Sequence, residues 1–229
     1  MAKSTFLELC KAARRACDIS GTGPVSVAGQ VGELENLVEW VALSDQETQS
    51  RWFDWDFMHV STWATNTNIG LAPVSAPADI GTWDEDSFYL NYTTATNRRL
   101  SVVDYVEWRA SSRQGVKVNA TPSSVVIKPD LSLVLESPPD AVYSLSADYW
   151  RRPVKMVGNN DMSLIPEEYE RIIISRAKMM YAEFSGSGVL LSSAQVEFDD
   201  LLDKLEAKYL SGHKARPMMA ASQMVVRAE

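Results

Sequence analysis

Apolar residues recur at helical spacing at both ends of this chain and lose that spacing in the middle. Near the start, Phe6, Leu9, Cys10, Ala13, Ala16 and Cys17 share one face of a helix. Thr5, with Glu8 three residues on, supplies a capping box that opens it. Arg14 and Arg15 fall off the stripe and are expected in solvent. Gly21 is placed to end this helix in the left-handed conformation, and Pro24 prevents its continuation. Leu34, Leu37, Val38 and Val41 form the inner face of a second helix that begins at Gln30 or Gly32 and fades near Ser50. The period returns at Pro166, with Glu167 and Glu168 placed to complement the dipole of a third helix. Tyr169, Ile172, Ile173, Ala177, Met180 and Phe184 make its stripe, and "SGSG" (Ser185 to Gly188) ends it. A fourth helix, from Ser192 or Ser193, carries Ala194, Phe198, Leu201, Leu202, Leu205 and Tyr209 and closes at Gly212.

Between Trp52 and about Asn160 the texture is different. Short alternating runs appear at residues 87–92, 101–108, 123–127, 131–135 and 142–150, with Pro129-Asp130 and "SPPDA" (Ser137 to Ala141) as turns. Neighbouring strands joined by short turns predict antiparallel pairing in a small sheet or sandwich. The fold expected is therefore α+β. A helical bundle built from both ends of the chain (1–51 and 163–212) holds an inserted antiparallel β domain (52–162), and residues 213–229 form an extended C-terminal arm.

Composition narrows the function classes. The chain has 229 residues, with 30 acidic against 22 basic side chains and a net charge of −8. That balance disfavours a nucleic-acid binder that works by neutralising phosphates. No apolar run approaches the roughly 20 residues that span a bilayer, and the first residues do not read as a signal peptide. Cys10 and Cys17 lie two helical turns apart, about 10 Å at 1.5 Å per residue, too far for a disulfide. They read as small buried hydrophobes in a reducing compartment.

Candidate chemistry adds little. The glycine run "GTGPVSVAGQVGE" (Gly21 to Glu33) has the look of a phosphate cradle, but Gly29 is followed by Gln30 and Val31, and Gly32 by Glu33. A P-loop requires a lysine and a hydroxyl there. The dinucleotide fingerprint fails at Ser26, where a third glycine belongs, and it should follow a strand. His59 and His213 lie far apart in sequence, without metal-ligand spacing. A nucleophilic pair would need one of the buried cysteines. Asp84, Glu85 and Asp86, or Asp199, Asp200 and Asp203, combined with Trp52, Trp55, Trp63, Trp83, Trp108 and Trp150, leave open a carbohydrate-active or carbohydrate-binding module. The simpler reading puts the second carboxylate group on the solvent side of a helix and the tryptophans in core or interface. No catalytic residue, cofactor or metal ligand is assigned.

Phe6 to Val41 carries a resemblance. "ISGTGP" (Ile19 to Pro24), then Gly29, Gln30, Gly32 and Glu33, then Leu37, Val38, Trp40 and Val41 resemble the head-to-tail adaptor proteins of tailed bacteriophages. Residues 82–88, 129–153 and 164–177 match more loosely, and "ALSDQETQ" after Val41 departs from the pattern. The resemblance implies a helical bundle with an inserted β domain. It also implies a virion protein made in the host cytoplasm and assembled as a twelve-fold ring at the head–tail junction beneath the portal protein. Such a ring extends the DNA channel, takes part in DNA ejection and seats tail or nozzle proteins. It calls for no enzyme activity, cofactor or membrane. Other virion roles, such as head completion or tail termination, remain rivals. The segment after Ser211 is mildly basic and carries Pro217, Met218, Met219, Met224, Val225, Val226 and Arg227. Apolar side chains on a segment with no core of its own predict docking onto a partner, which on the adaptor reading is the portal.

Overall fold

The computed structural model describes residues 3–70, 73–93, 96–112 and 118–210. The C-terminal arm, with all seven of its expected contact residues, lies outside them. The fold is α+β, with five helices and eight strands among the described residues. It divides into two compact units, Met1–Phe57 with Val154–Glu229 and Met58–Pro153. No helix among the described residues is long and apolar enough to cross a membrane.

The first unit is helical. Helix α1 (Phe6–Ala16) opens on the expected capping box: the Glu8 amide donates to Thr5 Oγ1 and the Thr5 amide donates to Glu8 Oε2 at 2.8 Å. The Phe6 and Leu7 amides donate to the carbonyls of Asp161 (2.7 Å) and Asn159 (3.2 Å). The donors that a helix start leaves without partners are thus satisfied locally and from a distant loop. Helix α2 (Glu33–Ser50) follows the glycine connector, with Gly32 as its N-cap. A short 3-10 turn (Glu167–Tyr169) precedes α4 (Arg171–Ser185), which Gly186 ends in the left-handed conformation.

Helix α5 (Gly188–Tyr209) starts one turn before the predicted Ser192 or Ser193, because the Ser187 hydroxyl accepts the Leu190 amide and caps it there. Helix α4 packs on α1, α2 and α5, while α1 also packs on α2. Leu9, Cys10, Leu37, Val41, Ile172, Ile173, Ala177, Ala194, Leu202 and Leu205 are buried on the facing sides. Burial pushes the Cys10 thiol up to about 12 and the Cys17 thiol up to about 11, leaving both protonated and unreactive. Phe184, expected on the inner stripe of α4, is 62% exposed. It lies in the last turn and packs on the half-buried Trp40 of α2 with ring centroids 5.5 Å apart.

The second unit is built on two sheets. Strand β8 (Ser144–Arg151) is the centre of the larger one. One edge of it pairs with β1 (His59–Asn66), and the other with β3 (Tyr89–Thr93) and then β2 (Ile80–Trp83), all antiparallel. Strand β4 (Thr96–Arg99) extends β3. The smaller sheet orders β5 (Ser101–Val103), β6 (Ser124–Ile127) and β7 (Leu133–Leu135).

Two expectations are corrected here. The run at residues 101–108 is strand only as far as Val103, after which helix α3 (Tyr105–Ser112) begins. Its cause is Asp104, whose carboxylate accepts the Val106 and Glu107 amides as an N-cap. The pairing is also not wholly antiparallel. With a helix between them, β5 and β6 run parallel, as a crossover connection requires. Trp83 sits in the core of this unit, its indole N–H donating to the Leu131 carbonyl at 2.8 Å and its ring against Trp63, Phe88 and Tyr149. It is a packing residue, as are its neighbours Leu90, Leu100, Val125, Leu133 and Leu145.

Candidate interaction surfaces

The glycine connector between α1 and α2 is held from three sides. Helix α1 closes with the Ile19 amide on the Arg14 carbonyl and the Asp18 amide on the Arg15 carbonyl. This is a Schellman closure with Asp18 at φ 55° in the left-handed slot. Gly21 was expected in that role, but the chain turns three residues earlier because an aspartate tolerates this conformation. Arg14, expected in solvent, folds back so that its guanidinium donates to the Ile19 and Gly21 carbonyls. Gly23 lies at φ +85° against that arginine. A Cβ there would sit 3.1 Å from Arg14 Cδ and 3.2 Å from Nε.

On the far side, Asn159 Oδ1 accepts the Val27 amide at 2.7 Å. The loop that carries it is tied by Asp161, whose carboxylate accepts the Val157 and Gly158 amides at 2.7 and 2.8 Å. Those two bonds hold the Asp161 carboxyl below the usual carboxylate range. One short loop, residues 157–161, therefore anchors both the start of α1 and the connector.

Anchoring sorts the connector's apolar side chains. Pro24 and Val27 point inward and are buried, while Val25 and Val31 are 86% and 81% exposed. Beside the connector, a hollow of about 400 Å³ is lined by residues that include Gly29, Gln30, Glu35 and Glu39. Two carboxylates are the wrong charge for a phosphate.

A second apolar surface lies on α5. Val189 (84% exposed) and Val196 (71%) sit seven residues apart on one helix face, with the exposed Ser192 and Ser193 between them. Further along the helix, Asp199, Asp200 and Asp203 are exposed, and Asp200 pairs with Lys204 at 2.6 Å. A groove of about 570 Å³ on α2, α4 and α5 is lined by Leu43, Glu47, Arg51, Arg176 and Phe198 among others. Its charges are internally balanced: Arg176 pairs with Glu47 at 2.9 Å and Arg51 with Glu206 at 3.3 Å. Of the tryptophans proposed for sugar stacking, Trp55 and Trp83 are buried, Trp63, Trp108 and Trp150 are half-buried, and Trp52 is exposed with its indole N–H donating to Glu206 Oε1 at 2.9 Å.

Val25, Val31, Val189 and Val196 escaped the sequence reading. Two lie in a loop, where period carries no information, and two precede or interrupt a helix face whose start was misplaced. An apolar side chain inside a glycine-rich connector was the one available signal.

An anchored loop that presents two valines outward, and a helix with two more exposed valines on one face, fit a class: a structural subunit that works by contact with other proteins. Comparison with known families agrees. The family model described as SU10 adaptor protein matches residues 4–225, so this chain belongs to that family and is a structural head–tail adaptor protein of a bacteriophage virion. No curated protein matches it.

Proposed function

We propose that this chain forms a ring, twelve-fold in symmetry, beneath the portal protein, where it extends the DNA channel and seats the tail. The family match over residues 4–225 carries this reading. The exposed valines of the connector and of α5 are then contacts between neighbouring subunits, and their burial on assembly drives association. The net charge of −8 suits a conduit through which DNA slides, because an acidic wall does not grip phosphates. The arm at residues 213–229 docks on the portal through Pro217, Met218, Met219, Met224, Val225, Val226 and Arg227.

Mixing the protein with its portal and imaging the complex by cryo-electron microscopy tests the proposal, with a twelve-fold ring on the portal as the expected result. A different symmetry, or no ring, contradicts it. Deleting residues 213–229 should leave the subunit folded and weaken portal attachment. Unchanged attachment sinks the role of the arm.

A further inference from the structure

His59, Asp84 and Asp148 are distant in sequence and converge in the β unit. Strand β8 brings them together. Asp148 lies on it, His59 starts β1 opposite Trp150, and Asp84 follows β2 with its amide donating to the Asp148 carbonyl at 3.0 Å. One ligand atom from each of the three side chains lies within 4.8 Å of the other two. All three residues are half-buried.

Both strands that flank β8 at this point are irregular. Strand β1 bulges between Val60 and Trp63, and β2 between Ile80 and Thr82. In β2, Gly81 lets the backbone approach β8 so closely that a Cβ would fall 3.0 Å from the Arg151 carbonyl oxygen. Such bulges re-aim side chains, and here they surround the cluster.

The charges of the cluster are poorly balanced. No lysine or arginine among the described residues pairs with the Asp84 or Asp148 carboxylate. The imidazole of His59 reaches Asp148 Oδ2 only at 3.9 Å, beyond hydrogen-bonding distance. Next to it, the ring of Trp150 packs on His59 with centroids 5.0 Å apart, and its buried indole N–H has no hydrogen-bond partner. Two neighbouring carboxylates, of which Asp84 also accepts the Asp86 amide at 3.1 Å, and an imidazole without a hydrogen bond among the described residues form a donor set suited to a cation. An ion held about 2.0–2.2 Å from each donor keeps tetrahedral ligands about 3.4 Å apart, so donor atoms that now lie within 4.8 Å of one another would draw closer around it.

We propose that His59, Asp84 and Asp148 bind one divalent transition-metal cation of the zinc class, clipping β1, β2 and β8 together at their bulges. One imidazole nitrogen with two carboxylate oxygens suits zinc, and the nitrogen disfavours calcium and magnesium, which take oxygen ligands. Three protein ligands leave the fourth position for a water.

The test is calorimetric titration of zinc chloride into the chelator-stripped full-length protein at neutral pH. One site is expected, weakened at least about 10-fold in His59→Ala and in Asp148→Asn, unchanged in His213→Ala, and not competed by calcium. Zinc should also raise the unfolding temperature of the wild type and leave that of His59→Ala where it was. Because a variant could misfold, the histidine ring protons of the wild type are followed by NMR, with His213→Ala to separate the two residues. Zinc should shift the His59 signals. Unshifted His59 signals, full-strength binding in His59→Ala, or equal competition by calcium each overturn the proposal.

Discussion

The cores of the two units differ in what they bury besides hydrocarbon. In the helical unit Ser44, Asp45, Thr48, Gln49, Ser163, Glu170 and Ser175 are buried, whereas in the β unit the buried polar side chains described are Thr67 and Ser124. Helices tolerate such residues because a hydroxyl can bond to its own preceding turn, as Thr48 does to the Ser44 carbonyl and Ser175 to that of Arg171. A strand offers no such internal partner. Thr67 accepts the Tyr143 amide, and Ser124 shares a hydrogen bond with Ser101, each a bond across the fold.

The longer polar side chains of the helical unit also bond at a distance: Gln49 Oε1 accepts the Val154 amide, Glu170 accepts the Ser4 amide, and Asp45 meets Ser163. Asp45 Oδ1 accepts the Ser163 hydroxyl, but its Oδ2 is buried without a partner. Burial pushes its carboxyl up to about 6, with Lys3 opposing and Glu170 adding to the rise. The helical unit therefore carries a titrating core, and the β unit an aromatic one.

That contrast can be broken in several places. The largest expected effect is in the aromatic core, where Trp83→Ala should cost about 3–5 kcal/mol. Amide hydrogen exchange should show lost protection along β8, and a loss below about 1 kcal/mol would remove Trp83 from the centre of that core. In the helical unit Ile173→Ala removes a fully buried side chain of α4 and should cost about 2–5 kcal/mol. An unchanged melting temperature would contradict the four-helix packing.

The pH response sharpens the comparison next. A buried acid with a raised pKa favours the protonated folded state, so its contribution is fully present below about 4. It is then lost as pH rises through about 6. Asp45→Asn keeps an acceptor for Ser163 and removes the charge. It should raise stability at neutral pH by about 1–3 kcal/mol and flatten the slope between those two values. A variant that keeps the wild-type slope in urea titrations across that range would clear Asp45 of the effect.

The smallest expected effect separates two glycines of one loop. Gly23→Ala meets Arg14 as well as a left-handed φ, and Gly29→Ala meets the strained φ of +71° with nothing within 4 Å. The first should cost about 2 kcal/mol and the second about 1 kcal/mol. Equal costs by chemical denaturation would mean that Arg14 does not brace the connector.

What could be read before folding follows from the range of each interaction. The inner faces of α1, α2 and α4 and the capping box at Thr5 were legible because helical hydrogen bonds join residues four apart, and their stripes are written locally. The cap at Asp104 is equally local, yet it was hidden by an alternating run that fits strand and helix alike. Strands β1, β2 and β4 were not found. Their partners lie on β3 and on β8, the latter as many as 91 residues beyond His59 at the Trp150 pairing, and bulges interrupt the patterns of β1 and β2.

The Phe6 to Val41 segment, read alone, already carried the resemblance to the adaptor family that the match over residues 4–225 shows. Its glycines and single proline specify a loop whose backbone few residues can adopt. Only the tertiary structure decided which side chains that loop turns outward. Val25 is exposed in the stretch of backbone that Arg14 and Asn159 hold between them, with Asn159 approaching from 132 residues away, and Val31 is exposed just beyond it. The meeting of His59, Asp84 and Asp148 was likewise decided by strand register. A cluster drawn from two strands and the residue that follows a third has no spacing in sequence, since the distances that matter run across the sheet.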